Sequence, residues 1–283
     1  MPFDVLERSR WGARPTHLFI FQRQMQITRF ANAERPIVLG GETFAAAGIT
    51  RSNLRDSTES LKNNITIRFP YLLLTPPDGV YPPTQGLGDI WRPYPPSDRI
   101  FVSCLAYHRG DSDAAIEWTG RVIGPEFTDA ECVLTCEPSN STGRRSGQQK
   151  RWQRACWKQL YSQGDGMCNV DQALHAIPAT LTGVEGLTLR SPSFVLPAGN
   201  LAGGMWVWTR EDGLQDYRTI EAHNGDSIVV SYGATDFAPG LAGDAFPGCA
   251  HDWEACEDFD NTDNFGGAVY LPIKNPMGGS PVW

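Results

Sequence analysis

At 283 residues the chain is long enough for one large domain or two ordinary ones, each with its own core. A hydrophobic content of 41%, with 9 Trp, 29 Gly and 21 Pro, excludes a disordered or all-helical chain and describes a turn-punctuated, β-rich one. The formal charge of −8 argues against a general nucleic-acid surface, because neutralising phosphates takes a net basic face.

The start, Met1 to Arg8, has no basic stretch followed by an apolar core, so no secretory signal is expected. No apolar run reaches the ~18 residues that a spanning helix needs, so no stable membrane anchor is expected either. Cysteines without an export signal suggest a reducing compartment, where thiols stay free.

In chain order, His17 to Phe21 and Gln26 to Phe30 are short apolar runs suited to paired strands. Ile37-Val38-Leu39 and Glu42-Thr43-Phe44, separated by Gly40-Gly41, predict a hairpin. Ile65, Ile67 and Phe69 alternate with polar residues up to Pro70, as a half-buried strand requires. Thr75 to Pro96 carries three Pro-Pro pairs and predicts an exposed loop. Ile100 to Tyr107 follows as a buried strand, with Cys104 a small core residue. Trp118 to Val122 and Cys132 to Pro138 continue the series. Cys132 and Cys136 are four apart on one strand, hence ~13 Å apart at about 3.3 Å per residue, too far to share a metal.

Beyond a Ser139-to-Gly147 linker, Gln148 to Tyr161 has no breaker, and Trp152, Cys156 and Leu160 fall at i, i+4, i+8. This spacing predicts a short helix that turns Cys156 inward. Leu187-Thr188-Leu189, Ser193 to Leu196, Met205 to Trp208 and Ser227 to Tyr232 then predict a second antiparallel sheet. The fold class is mainly β with a minor α component. We expect a β-rich domain over 1–140, a second β domain with inserted cysteine loops and a short helix over 141–275, and a tail over 276–283.

Four cysteines flank that second sheet: Cys156 and Cys168 (C-x11-C) before it, Cys249 and Cys256 (C-x6-C) after it. Gly164-Asp165-Gly166 lets the first loop fold back, and the polar run from Glu257 to Gly267 disfavours a long helix or strand. The two pairs are candidate ligands of one four-thiolate site, which suits zinc or an iron–sulfur cluster, while two disulfides or unrelated thiols form the competing reading. Loops of six and eleven residues, longer than the short knuckles around one zinc ion, favour a cluster. Such a group would close a loop of about a hundred residues and stabilise the domain when bound. Nearby Arg144, Arg145, Lys150, Arg151, Arg154 and Lys158 are surface cations that could offset thiolate charge. Trp152, Trp157 and Trp253 are candidates to exclude water from it.

An enzyme is the rival class. The five histidines are scattered, and no phosphate loop, zinc-protease pair or nucleophile elbow occurs. Acid pairs such as Glu211-Asp212 and Glu257-Asp258 are ordinary surface chemistry. No catalytic residue is assigned.

Gln153 to Tyr161 running into Gly166 to Asp171, then Pro247-Gly248-Cys249, Cys256, Phe259, Asn261 and Asn264 to Gly267, resembles a family of phage and gene-transfer-agent tail-tip hub proteins. The family includes, more distantly, the minor tail protein L of phage lambda. Ile49 to Ser52 and Leu61 to Ile67 carry the likeness into the first half. The resemblance implies a virion scaffold protein, assembled in the host cytoplasm and resident at the tail tip. It implies Cys156, Cys168, Cys249 and Cys256 as ligands of an iron–sulfur cluster of the [4Fe–4S] type. It also implies homotrimers joining the distal tail ring to the central fibre or tail-tip protein. Apart from the resemblance, the alternative is a zinc-stabilised or disulfide-stabilised binding module of unrelated function.

Overall fold

The computed structural model describes residues 15–54, 63–139, 152–196 and 200–272. The chain divides into two compact units, Met1–Arg145 and Ser146–Trp283. As composition and alternation require, both are built on sheets, and among the described residues helices are few and short.

The first unit holds strands β1 (Thr16–Arg23), β2 (Gln26–Asn32), β3 (Ile37–Leu39), β4 (Glu42–Ala47), β5 (Thr50–Arg51), β6 (Ile65–Pro70), β7 (Ile100–Tyr107), β8 (Ala115–Phe127) and β9 (Glu131–Pro138). They form one sheet in the order β3-β4-β2-β1-β7-β8-β9-β6-β5. The pairings are antiparallel except β2 with β4. The β3–β4 hairpin turns on Gly40 and Gly41, both at positive φ (59° and 83°), the backbone that a two-residue loop needs and that glycine adopts without strain. Ile65, Ile67 and Phe69 all point inward from β6. Each contributes roughly 1.5–3 kcal/mol by burial. Across from them β9 buries Cys132, Leu134 and Cys136, which join Cys104 in the same core. Burial pushes the Cys104 and Cys132 thiols up to about 12, and Cys136 still higher.

The proline-rich stretch is exposed over much of its length, as its composition suggests, but its middle is anchored to the first unit. Thr84 hydroxyl donates to Pro70 O (2.6 Å), and the Gln85 amide exchanges two bonds with the backbone of Leu72. A short helix, Gln85–Asp89, then seats Leu87 in the core, with Trp91 just beyond it. Apolar residues among the prolines carry the segment inward.

The second unit contains β10 (Ile177–Thr180), β11 (Gly183–Glu185), β12 (Thr188–Arg190), β13 (Met205–Thr209), β14 (Gln215–Asn224), β15 (Ser227–Val230) and β16 (Ala242–Phe246). All pairings are antiparallel, in the order β10-β16-β13-β14-β15-β12-β11. Its core gathers Leu189, Phe194, Trp206, Trp208, Ile220, Ile228 and Val230. Arg218 is buried among them, its guanidinium over the Tyr232 ring (4.0 Å) and bonded to Asp216 and Gly233 O.

Two expected elements differ. Ser193 to Leu196 is no strand: Ser191 and Pro192 open a 3-10 turn, Pro192–Phe194, that drops Phe194 edge-on against Trp206 (5.7 Å). Of the expected helix over 148–161, residues 148–151 lie outside the described residues, and 152–161 are not helical. Long-range backbone bonds hold this stretch instead, from Cys156 N–H to His251 O (2.6 Å) and from Ala268 N–H to Gln153 O (2.8 Å). These bonds override the i, i+4 spacing, and Trp152, 87% exposed, covers nothing.

Candidate cysteine site

Cys156 and Cys168 lie on the irregular segment before β10, while Cys249 and Cys256 follow β16, so the antiparallel sheet delivers both pairs to one locality. All seven cysteines are free thiols, which corrects the disulfide reading. Cys256 sits in the helix Trp253–Asp258, whose first turn is capped by the Asp252 carboxylate accepting from Ala255 N–H (2.8 Å).

Three of the four sulfurs accept N–H donors. Gly266 N–H reaches Cys156 Sγ (3.2 Å), His251 N–H reaches Cys249 Sγ (3.3 Å), and the Asn261 side-chain amide reaches Cys168 Sγ (3.5 Å). A neutral thiol is a weak acceptor, whereas such donors stabilise a thiolate or a metal-bound sulfur. The thiols also act on one another. Burial first, then Cys156, Cys249 and Cys168, raise Cys256 to about 11, with Lys158 opposing. Burial raises Cys249, against the pull of the His251 N–H, and Cys168 and Cys156 add to the rise. Lys158 is the one described member of the basic run whose charge bears on these thiols in this way; its ammonium donates to Met167 O (3.0 Å).

Tight backbone surrounds the site. Among the described residues five non-glycine positions have positive φ, and four of them, Tyr161 (62°), Asn169 (62°), His251 (60°) and Asp260 (49°), lie in the cysteine-bearing loops. Asn, His and Asp tolerate this region; Tyr161 does not, and is held there by its hydroxyl donating to Pro247 O (2.8 Å) and by the rings of Phe246 and Phe259. A Cβ on Gly266 would stand 3.2 Å from Cys156 Sγ and 3.0 Å from Trp157 Nε1, so the backbone can donate to that sulfur because the residue is glycine.

Of the three tryptophans expected to cover the site, Trp157 lies against Gly266 and Trp253 stacks edge-on with Phe265 (5.3 Å), while Trp152 faces solvent. Sequence reasoning assigned no part to Asn261 or the His251 backbone. Polar residues in a turn-rich run signal only a loop. Cys104, Cys132 and Cys136 stay in the first unit's core, as the strand spacing predicts. Among the described residues no three His, Cys, Asp or Glu side chains are gathered as ligands of a single metal ion. An open groove of about 880 Å³ runs along β10, β13 and β16, lined by no cysteine or histidine.

Residues 199–275 match the family described as phage conserved hypothetical protein BR0599. That match takes in Cys249 and Cys256 but not the first cysteine pair. An uncharacterized protein of Xylella fastidiosa (strain 9a5c) is 41% identical over 220 residues, 75% of this chain and 46% of that protein. The chain thus spans about half the length of that relative. The fold is similar to that of a chain in the virion of a native gene transfer agent particle, with a TM-score of 0.72 at 13% identity, covering 99% of this chain and 95% of that one.

Proposed function

We propose that this chain is a structural protein of a phage-type virion, acting as a tail-tip hub or minor tail protein rather than as an enzyme. Its second unit holds an iron–sulfur cluster, of the [4Fe–4S] type, on Cys156, Cys168, Cys249 and Cys256. The virion role is supported by the fold shared with a gene transfer agent chain over nearly the whole length and by the phage family matched over residues 199–275. The cluster reading is supported by one observation: four thiols brought near one another, three of them facing N–H donors. Such donors are what cysteine ligands of a cluster use, and they tune its potential. A single zinc ion would draw four sulfurs to about 4 Å from one another at Zn–S distances near 2.3 Å.

Bound there, the group would supply a cross-link between loops that precede and follow the sheet. The protein's own share is to present the sulfurs, orient them with backbone and amide N–H groups, and hold Tyr161, packed against His175 and Phe259, near Cys249 and Cys168. In this role the chain forms homotrimers that join the distal tail ring to the central fibre or tail-tip protein.

Purification without oxygen followed by absorption spectroscopy and iron and sulfide assays tests the cluster. A brown protein with a broad visible band and matched iron and sulfide is expected. A colourless protein with stoichiometric zinc would refute it. The mass in solution by light scattering tests the trimer.

A further inference from the structure

Cys168 and Cys256 belong to different segments, and one residue touches both. Asn261 N–H donates to Cys256 O (3.1 Å), and the Cys256 thiol donates to Asn261 O (3.2 Å). The Asn261 side-chain amide donates to Cys168 O (2.7 Å) and lies 3.5 Å from Cys168 Sγ, bridging 93 positions of sequence. Its orientation is fixed chemically: a backbone carbonyl can only accept, so the nitrogen must face Cys168 and the oxygen must face Asn264, whose Nδ2 donates to it (2.8 Å). No other side chain of this size provides a donor pair on one side and an acceptor on the other.

We propose that Asn261 is the positioning residue that clasps the two cysteine-bearing segments together and sets the Cys168 sulfur as a ligand, through an amide donating to both the carbonyl and the sulfur of that residue. The clasp itself is a property of the protein alone; its effect on ligand retention rests on the cluster reading given above. Aspartate has the same shape but turns an acceptor and a charge toward the sulfur, so Asn261→Asp separates donation from size.

The test compares the full chain with Asn261→Ala, Asn261→Asp and Asn264→Ala. In the metal-free proteins, amide hydrogen exchange over residues 162–169 accelerates several-fold, up to about tenfold, in both Asn261 variants, as expected for losing one or two net hydrogen bonds. Asn264→Ala, which removes only the support of the Asn261 oxygen, gives a smaller rise. Exchange in β13 to β15 stays unchanged, showing that the sheet is intact. In proteins loaded with iron and sulfide, retention against a chelator falls about 10- to 100-fold, as for other partners of metal-bound residues. Asn261→Asp is at least as damaging as Asn261→Ala. Any cluster that remains has a lowered reduction potential, since an N–H donor to sulfur stabilises the more negative state. Exchange over 162–169 like that of the unaltered protein would overturn the clasp, and full retention by Asn261→Asp would overturn the part played by donation. An unaltered protein that takes up no iron or sulfide would instead refute the cluster while the exchange result still decides the clasp.

Discussion

The two units treat the same side chain in opposite ways. In the first, Cys104, Cys132 and Cys136 stand on strands at inward positions among Phe69, Ile67 and Leu134, and burial is the main cause that holds their protons. In the second, Cys156, Cys168, Cys249 and Cys256 occupy loops and one short helix, three of them beside N–H donors and all near one another. A cysteine on a strand is fixed by the pleat and serves as a small apolar residue; a cysteine in a loop is free to be aimed. Backbone at positive φ follows the same division, with four of the five such non-glycine residues among the described ones in the second group's loops.

The sharpest way to break this contrast is to remove one thiol from each group. Cys249→Ser is expected to abolish stable iron and sulfide binding and to lower the melting temperature of the loaded protein, because one ligand is gone and metal binding is coupled to folding. Cys104→Ala should leave metal content unchanged and cost about 1–2 kcal/mol in denaturant titrations, a small-cavity effect. Equal losses of metal in both would erase the distinction.

Glycines give a second, smaller comparison. Gly266→Ala places a methyl group against Cys156 Sγ, Trp157 and Lys158, and should cost about 1–3 kcal/mol and weaken metal retention. Gly124→Ala on β8 meets nothing within 4 Å and should change stability by less than about 0.5 kcal/mol.

A pH dependence is expected as well. Cys104 and Cys132 ionise at about 12 in the folded chain, against about 8.5 in an unfolded one. The unfolded state therefore binds fewer protons between those values, so stability is fully present below pH about 8.5 and declines as pH rises toward 12. The denaturant midpoint of the metal-free protein should fall from pH 8 to pH 11, and less steeply in Cys104→Ala.

Much of the first sheet was legible because its inward residues are apolar and alternate, as in Ile65, Ile67 and Phe69. Strand β14 was not, since its inward positions are Asp216, Arg218 and Ile220, and a buried ion pair looks like a polar surface in sequence. Strand β16 hid behind Gly243, which a Trp206 ring requires: a Cβ there would meet it at 2.7 Å. The places of the two cysteine pairs, one before and one after the sheet, were legible in the sequence. The expected helix failed because Cys156 and Gln153 spend their backbone groups on residues about a hundred positions away, information that local periodicity does not carry.

Those remote bonds have a mechanical consequence. The stretch leading into the seven-stranded sheet and the stretch leaving it are tied to each other at Gln153–Ala268 and Cys156–His251 before either reaches a strand. Tension applied at the two ends of this unit would load these ties first, shielding the strands, so forced extension should give an early low-force rupture followed by a separate, higher-force unravelling. Fastening by a cluster at the same place would merge the two events into one, turning a soft joint into a stiff one.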